Sequence, residues 1–147
     1  MILIGQKHTM FNLHTDNVDS ATWQAQIKGR KRWRVCPPSE TPFLYEGATK
    51  RDTGSSDLNT FTASTDQYPL WAYARCYDYV AKPGDVLYYP PNYWHQTMNL
   101  DDETIALTSR VMHPTNFNLV FNKFKEECAK PPYKVPAGYE PPPRLSS

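Results

Sequence analysis

The sequence predicts an all-β fold, a double-stranded β-helix (jelly roll) followed by a C-terminal helix. Three observations lead there. The chain has 147 residues, enough for one core and not two. Apolar residues reach only 39%, yet aromatics reach 14%, a profile that suits a folded β-rich domain better than a disordered chain. About eight short strand-like segments are separated by turn signals, as in a sandwich or barrel.

The elements follow in order. Residues 1–5 and 9–16 read as two short strands. From Trp23 to Val35 the alternation is clean: Trp23, Ala25, Ile27, Gly29, Lys31, Trp33 and Val35 on one parity, Gln24, Gln26, Lys28, Arg30, Arg32 and Arg34 on the other. Period two predicts an apolar face on the odd positions and a wet face on the even ones. A hairpin turn at Lys28-Gly29 would split the run and reset the parity. Pro37-Pro38 ends it. Residues 39–69 carry Ser, Thr, Asp and Gly with weak periodicity and read as a long loop, a candidate substrate wall. Strand signals resume at 71–80 and 86–89, around the turn Lys82-Pro83-Gly84-Asp85. The segments 93–100 and 104–111 follow, on either side of Asp101-Asp102-Glu103. Beyond Pro114 the spacing of Phe117, Val120, Phe121 and Phe124 is helical, with Thr115 or Asn116 as N-cap. The chain thus divides into a jelly-roll domain (1–113), a helix (114–130) and a proline-rich tail (131–147).

Sixteen basic residues against 15 acidic ones leave a charge of +1, which argues against a general nucleic-acid surface. The run Lys28–Arg34 holds five basic residues in seven; its alternation with Trp33 and Val35 favours a solvated strand face over a localisation signal. Cys36, Cys76 and Cys128 cannot all pair within the chain, and without a CxxC spacing neither a zinc site nor a disulfide framework is expected. No stretch approaches the ~20 apolar residues of a membrane span, and no basic n-region opens the chain. These features predict an intracellular protein of a reducing compartment, in cytoplasm or nucleus, with no membrane partner. The chain opens inside an apolar, strand-like run, which suggests the C-terminal part of a longer protein.

Chemistry is carried by few residues. His14 and Asp16, two apart in a strand, leave the same face. His95 lies in a late strand. Two histidines and a carboxylate are the minimum for a facial triad holding Fe(II), and no thiolate competes. An isolated HxD is also a common turn or surface pair, and His95 alone also suits a core position. Lys31 falls on the apolar parity, where a buried ammonium requires an anion or must snorkel to an edge. If Gly29 resets the parity, Lys31 is instead exposed beside Arg30 and Arg32.

The order HTD at 14–16, WQAQIKGRKRW at 23–33, KPGDVLYYPPNYWHQTMNL at 82–100 and ETIALT at 103–108 resembles the JmjC-domain, cupin-like 2-oxoglutarate and Fe(II)-dependent dioxygenases. It is most similar to the jumonji arginine demethylase and lysyl hydroxylase branch, and the likeness spans about residues 1–112. The resemblance implies His14, Asp16 and His95 as iron ligands. It implies Lys31 and Thr108 as partners of the distal 2-oxoglutarate carboxylate, and Gln24 where the branch has an asparagine near that cosubstrate, although alternation sets Gln24 opposite Lys31. It further implies O2-dependent hydroxylation, or N-demethylation with loss of formaldehyde, of a protein or peptide side chain. Two departures stand out. Phe11 replaces a hydroxyl residue that contacts the cosubstrate, and the elements that precede the first barrel strand in the family are missing, which leaves a sheet edge uncovered.

Two further readings compete with the oxygenase. One is a non-catalytic JmjC/cupin-like binding module with a degenerate cosubstrate site, favoured by Phe11. The other is a metal cupin of another class, which would use more histidines and leave Lys31 without a role. The face Phe117, Val120, Phe121 and Phe124 offers a surface for a homodimer, with packing onto the domain's own sheet as the favoured alternative.

Overall fold

The computed structural model describes residues 1–16, 20–47 and 54–129. Eight strands form two four-stranded antiparallel sheets. The strands are β1 (Ile2–Gly5), β2 (Met10–His14), β3 (Ala21–Lys28), β4 (Lys31–Cys36), β5 (Tyr77–Ala81), β6 (Val86–Tyr89), β7 (Trp94–Asn99) and β8 (Thr104–Val111), followed by helix α1 (Phe117–Ala129). One sheet has the order β1-β8-β3-β6, the other β2-β7-β4-β5. The chain alternates between the sheets at nearly every connection, which is the winding of a jelly roll. The predicted fold class stands, and so do the limits of β6 and β8.

The β3–β4 run resolves the parity question. The chain turns at Gly29, whose φ is +67° and where a Cβ would stand 2.3 Å from the Glu103 carbonyl oxygen. A left-handed backbone this close to another strand leaves room for glycine alone. The turn carries the chain from one sheet to the other. In β4 the odd positions Lys31 and Trp33 face inward, as expected. In β3 the even positions Thr22, Gln24 and Gln26 are buried and Ile27 is exposed, the reverse of the expected faces. The reason is that β3 presents Thr22 and Gln24 to a cavity, while Gln26 is buried at the turn, its Nε2 donating to the Lys28 and Gly29 carbonyls at 2.9 and 3.0 Å.

The long excursion after β4 is not a free loop. A 3-10 turn at Pro38–Phe43 and a second at Pro69–Tyr73 bracket it. Leu44 and Leu58 pack with Leu13, Cys36 and Trp94 as one buried cluster on the outer face of the β2-β7-β4-β5 sheet. Gln96 of β7 accepts the Thr60 amide and hydroxyl at 2.8 and 2.7 Å. The segment predicted as strand over 71–80 therefore opens in the 3-10 turn, which holds its first three residues, and becomes strand only from Tyr77. Pro69 at its start cannot donate to a ladder, and pairing begins only at Tyr77. Cys36 and Cys76 form a disulfide across this region, a correction to the reading that expected no disulfide framework; Cys128 is free and exposed. Their sequence distance hid a pairing that the β4–β5 ladder brings about.

Four of the five basic residues of the run, all but Lys31, pair with acids. Lys28 pairs with Glu103, Arg30 with Asp101 at 2.7 Å, and Arg32 and Arg34 share Asp78 at 2.6 and 2.8 Å. That is the solvated strand face expected. Asn116, directly before Phe117, holds the N-cap position as one of the two expected caps, its carbonyl accepting the Val120 amide at 2.9 Å, while its Oδ1 accepts the His113 amide at 2.7 Å and ties the helix start to the preceding turn. Val120 is buried while Phe117, Phe121 and Phe124 stay exposed. The helix thus packs on its own domain through Val120, and the phenylalanines do not share that contact. The tail 131–147 lies outside the described residues. No helix among the described residues is long and apolar enough to cross a membrane.

Candidate metal centre

The site forms where β2 and β7 pair. Register runs Phe11↔Thr97 and His14↔His95, so three residues of β2 span what two residues of β7 span. This bulge re-aims His14, and Phe11 and His14 both line the same cavity although they are three apart. Asp16 stands just past the end of β2 rather than within it. Its Oδ2 is held by the Thr22 hydroxyl at 2.8 Å and the Tyr89 hydroxyl at 3.3 Å.

One ligand atom from each of His14, Asp16 and His95 lies within 4.8 Å of the others. Among the described residues this is the one such group of three or more His, Cys, Asp or Glu side chains. The histidine rings are oriented alike. His14 Nδ1 lies 2.7 Å from the Asn12 carbonyl, and His95 Nδ1 lies 3.0 Å from the Tyr93 carbonyl. A carbonyl only accepts, so each Nδ1 carries the proton. Each Nε2 is left with its lone pair, the arrangement that second-shell carbonyls give to metal-ligating histidines. Burial, reinforced by the neighbouring His14, holds the His95 pKa well below its usual value, which keeps it a neutral donor. Two neutral imidazoles and a carboxylate, with no thiolate, suit Fe(II).

The cavity that contains this group measures about 520 Å³ and is also lined by Gln24, Trp33 and Thr108. Its walls are short of acceptors. Gln24 Nε2 and Trp33 Nε1 are buried without a hydrogen-bond partner. Lys31, 3% exposed, lines an adjoining cavity of about 360 Å³ that shares Leu3, Phe11 and Thr97 with the first. It has no ion-pair partner among the described residues, and burial lowers its pKa to about 8. Two orphaned N–H groups and an unpaired ammonium form a lining that fits an acceptor-rich anion.

The structure therefore gathers His14, Asp16, His95, Gln24 and Thr108 around one cavity and sets Lys31 in the next. Gln24 does not lie opposite Lys31: the sheet crossing at Gly29 turns both inward. The Thr108 hydroxyl donates to the Trp23 carbonyl at 2.9 Å. Phe11 is half exposed at the boundary between the cavities. The expected substrate wall over 39–69 contributes no lining among its described residues, and residues 48–53 lie outside the description. Sequence reasoning missed Thr22, Tyr89 and Thr97. Thr22 and Tyr89 meet Asp16 only through the pairing of β3 with β6, which no local pattern announces.

Comparison with known proteins agrees with this fold. The cupin-like domain family matches residues 1–122. HSPB1-associated protein 1 of Rattus norvegicus is 35% identical over 86 residues, covering 57% of this chain and 18% of that protein. Lysine-specific demethylase JMJ21 of Arabidopsis thaliana is 28% identical over 123 residues, 81% of this chain and 13% of that protein. The 2-oxoglutarate and iron-dependent oxygenase JMJD4 of Mus musculus is 26% identical over 137 residues, 91% of this chain and 31% of that protein. The chain thus spans less than a third of the length of each of these relatives.

Proposed function

Because the chain belongs to the cupin-like domain family, with demethylase and oxygenase relatives, we propose that it is an Fe(II)- and 2-oxoglutarate-dependent oxygenase. Its substrate would be a side chain of a protein or peptide. The observation that carries this reading is the convergence of two Nε2 lone pairs and the Asp16 carboxylate in a cavity that also holds two buried, unpaired donors, Gln24 Nε2 and Trp33 Nε1.

His14, Asp16 and His95 would hold the iron. Iron, 2-oxoglutarate and O2 together supply the oxidising equivalents that turn a C–H bond into C–OH, with succinate and CO2 as co-products. The protein's own contribution is orientation. The Asn12 and Tyr93 carbonyls fix the two imidazole tautomers. Gln24 and Trp33 offer N–H groups to the cosubstrate's oxygens. Lys31 supplies the charge for its distal carboxylate, reaching toward the boundary at Phe11 and Thr97. Trp33, Tyr89 and Leu3 exclude bulk water from the walls. Hydroxylation of a methyl group on nitrogen would release formaldehyde; hydroxylation of carbon would be retained.

A second reading, a binding module without turnover, is favoured by specific features: Phe11 stands between the metal cavity and Lys31, and the Thr108 hydroxyl is engaged by Trp23. Anaerobic titration of the Fe(II)-loaded protein with 2-oxoglutarate separates the two. A metal-to-ligand charge-transfer band in the visible supports an assembled oxygenase site. Bound iron with no such band transfers the assignment to the binding module. The exposed phenylalanines of α1 are a candidate surface for self-association under either reading.

A further inference from the structure

The hydroxyl of Tyr89 touches the metal site, and the proposed reaction leaves it without a role. Its side chain is buried, and its hydroxyl oxygen lies 3.3 Å from Asp16 Oδ2 and 3.4 Å from His95 Nε2. Thr22, its direct register partner across β3 and β6, donates to the same Oδ2 at 2.8 Å. Among the described residues no hydrogen bond falls on Oδ1 of Asp16.

We propose that Tyr89 and Thr22 form a clamp that holds Asp16 by Oδ2 alone, so that the carboxylate meets the metal through a single oxygen. The inference rests on the triad reading above. The phenol has one proton and two acceptors in reach. His95 Nε2 is a neutral lone pair, because Nδ1 gives its proton to the Tyr93 carbonyl. Asp16 is a carboxylate, and a hydrogen bond to an ionised acceptor is the stronger one. Once a metal takes the Nε2 lone pair, Asp16 is the acceptor that remains. The two donors come from paired strands at facing positions, so the clamp is rigid. A carboxylate with one oxygen occupied twice is discouraged from swinging to two-oxygen coordination, which would consume a further position on the metal. Tyr89 acts through Asp16 and is a positioning residue, not a catalytic one.

The test uses Co(II), which reports coordination through its visible d–d bands and needs neither cosubstrate nor turnover. Tyr89→Phe and Thr22→Val are each expected to weaken Co(II) binding by about 10–100-fold, the usual effect of losing an outer-shell partner. Both should lower the d–d intensity as the carboxylate closes onto the metal with both oxygens. Thr22→Ser keeps the hydroxyl and should retain wild-type affinity and spectrum. The metal-free Tm of each variant separates the clamp from general unfolding: loss of affinity in a variant that melts as the wild type does supports it. Unchanged affinity and spectrum in Tyr89→Phe overturns the clamp. So does a phenolate-to-iron charge-transfer band in the Fe(III) protein that disappears in Tyr89→Phe, because Tyr89 is then itself a ligand. If wild type and His95→Ala bind Co(II) equally, the triad reading fails and takes the clamp with it.

Discussion

Replacing Lys31 by methionine should make the free protein more stable while removing its response to 2-oxoglutarate. The ammonium is buried, faces no acid, and has its pKa lowered to about 8 from 10.5. That fall corresponds to about 3 kcal/mol of destabilisation at neutral pH, an upper bound because the ammonium faces a cavity that admits water. Methionine keeps the length of the stem without the charge. At pH 7 the expected gain is about 1–3 kcal/mol, a Tm rise of roughly 3–10 °C for a chain of this size. The sign of the pH dependence is specific. Between about pH 8 and 10.5 the unfolded chain holds a proton that the folded one has released, so wild-type stability rises with pH through this window. The Lys31→Met chain lacks that rise, so the difference between the two is greatest at pH 7 and closes above pH 10.5. Thermal melts of the metal-free proteins across this range measure it. Melts of the Fe(II) proteins without O2, with and without 2-oxoglutarate, should show ligand stabilisation in wild type and none in the variant. A variant less stable than wild type at pH 7, or a difference independent of pH, refutes the buried-cation argument. Equal stabilisation of both proteins by 2-oxoglutarate refutes the role given to Lys31.

Other expectations follow from the same geometry. His14→Ala and His95→Ala should each leave the protein without stoichiometric iron after anaerobic loading, as read by metal analysis; unchanged iron contradicts the triad. Phe11→Thr restores a hydroxyl at the boundary of the two cavities and should tighten 2-oxoglutarate binding about tenfold, the value of one hydrogen bond to a charged group. Titration of the charge-transfer band checks this, and because Phe11 is half exposed the fold should tolerate the change. Cys36 and Cys76 close a loop of 40 residues, worth about 4 kcal/mol in chain entropy. A reductant or the double serine variant should therefore lower the Tm substantially, and an unchanged melt would show that the bridge contributes nothing.

The parts of this fold that were legible in the sequence are those in which chemistry and period agree. β8 is bounded by the acidic turn and by Pro114, and β6 lies between Pro-Gly-Asp and Pro-Pro-Asn, so their limits could be read directly. The triad was legible because HTD and the PPNYWH turn are short-range patterns. The errors have one physical source. Sequence parity assumes that apolar means inward, whereas the inner face of β3 buries Thr22, Gln24 and Gln26, the first two of them against the cavity. Only the crossing at Gly29 reveals that Gln24 and Lys31 both point inward. The disulfide, the cover formed by 38–73 and the contacts of Tyr89 are relations between distant strands, and no local pattern encodes them. The two sheets differ accordingly. The outer face of the β2-β7-β4-β5 sheet is covered by Leu44 and Leu58, while the other sheet exposes Ile2, Ile4, Val86, Tyr88 and Leu107.

The interior of this barrel is costly to the protein that holds it. Gln24 Nε2 and Trp33 Nε1 lack partners, and each buried donor left unpaired costs about 1–3 kcal/mol. Lys31 adds a further penalty of similar size. A selection acting on stability alone would replace these groups with apolar ones, since a half-satisfied polar interior is worse than an oily one. Their gathering in two adjoining cavities, one of which holds the three metal-ligand side chains, is therefore best understood as stored affinity. A ligand that brings acceptors to all of them recovers what folding left unsatisfied. The proposed function must then meet a quantitative demand. The stabilisation by 2-oxoglutarate should fall when any one of Lys31, Gln24 or Trp33 is made apolar, and the stability of the free protein should rise in the same variants. A ligand effect that falls without the matching rise would mean that these residues only touch the ligand; a rise without the fall would mean that the cavity serves some other acceptor.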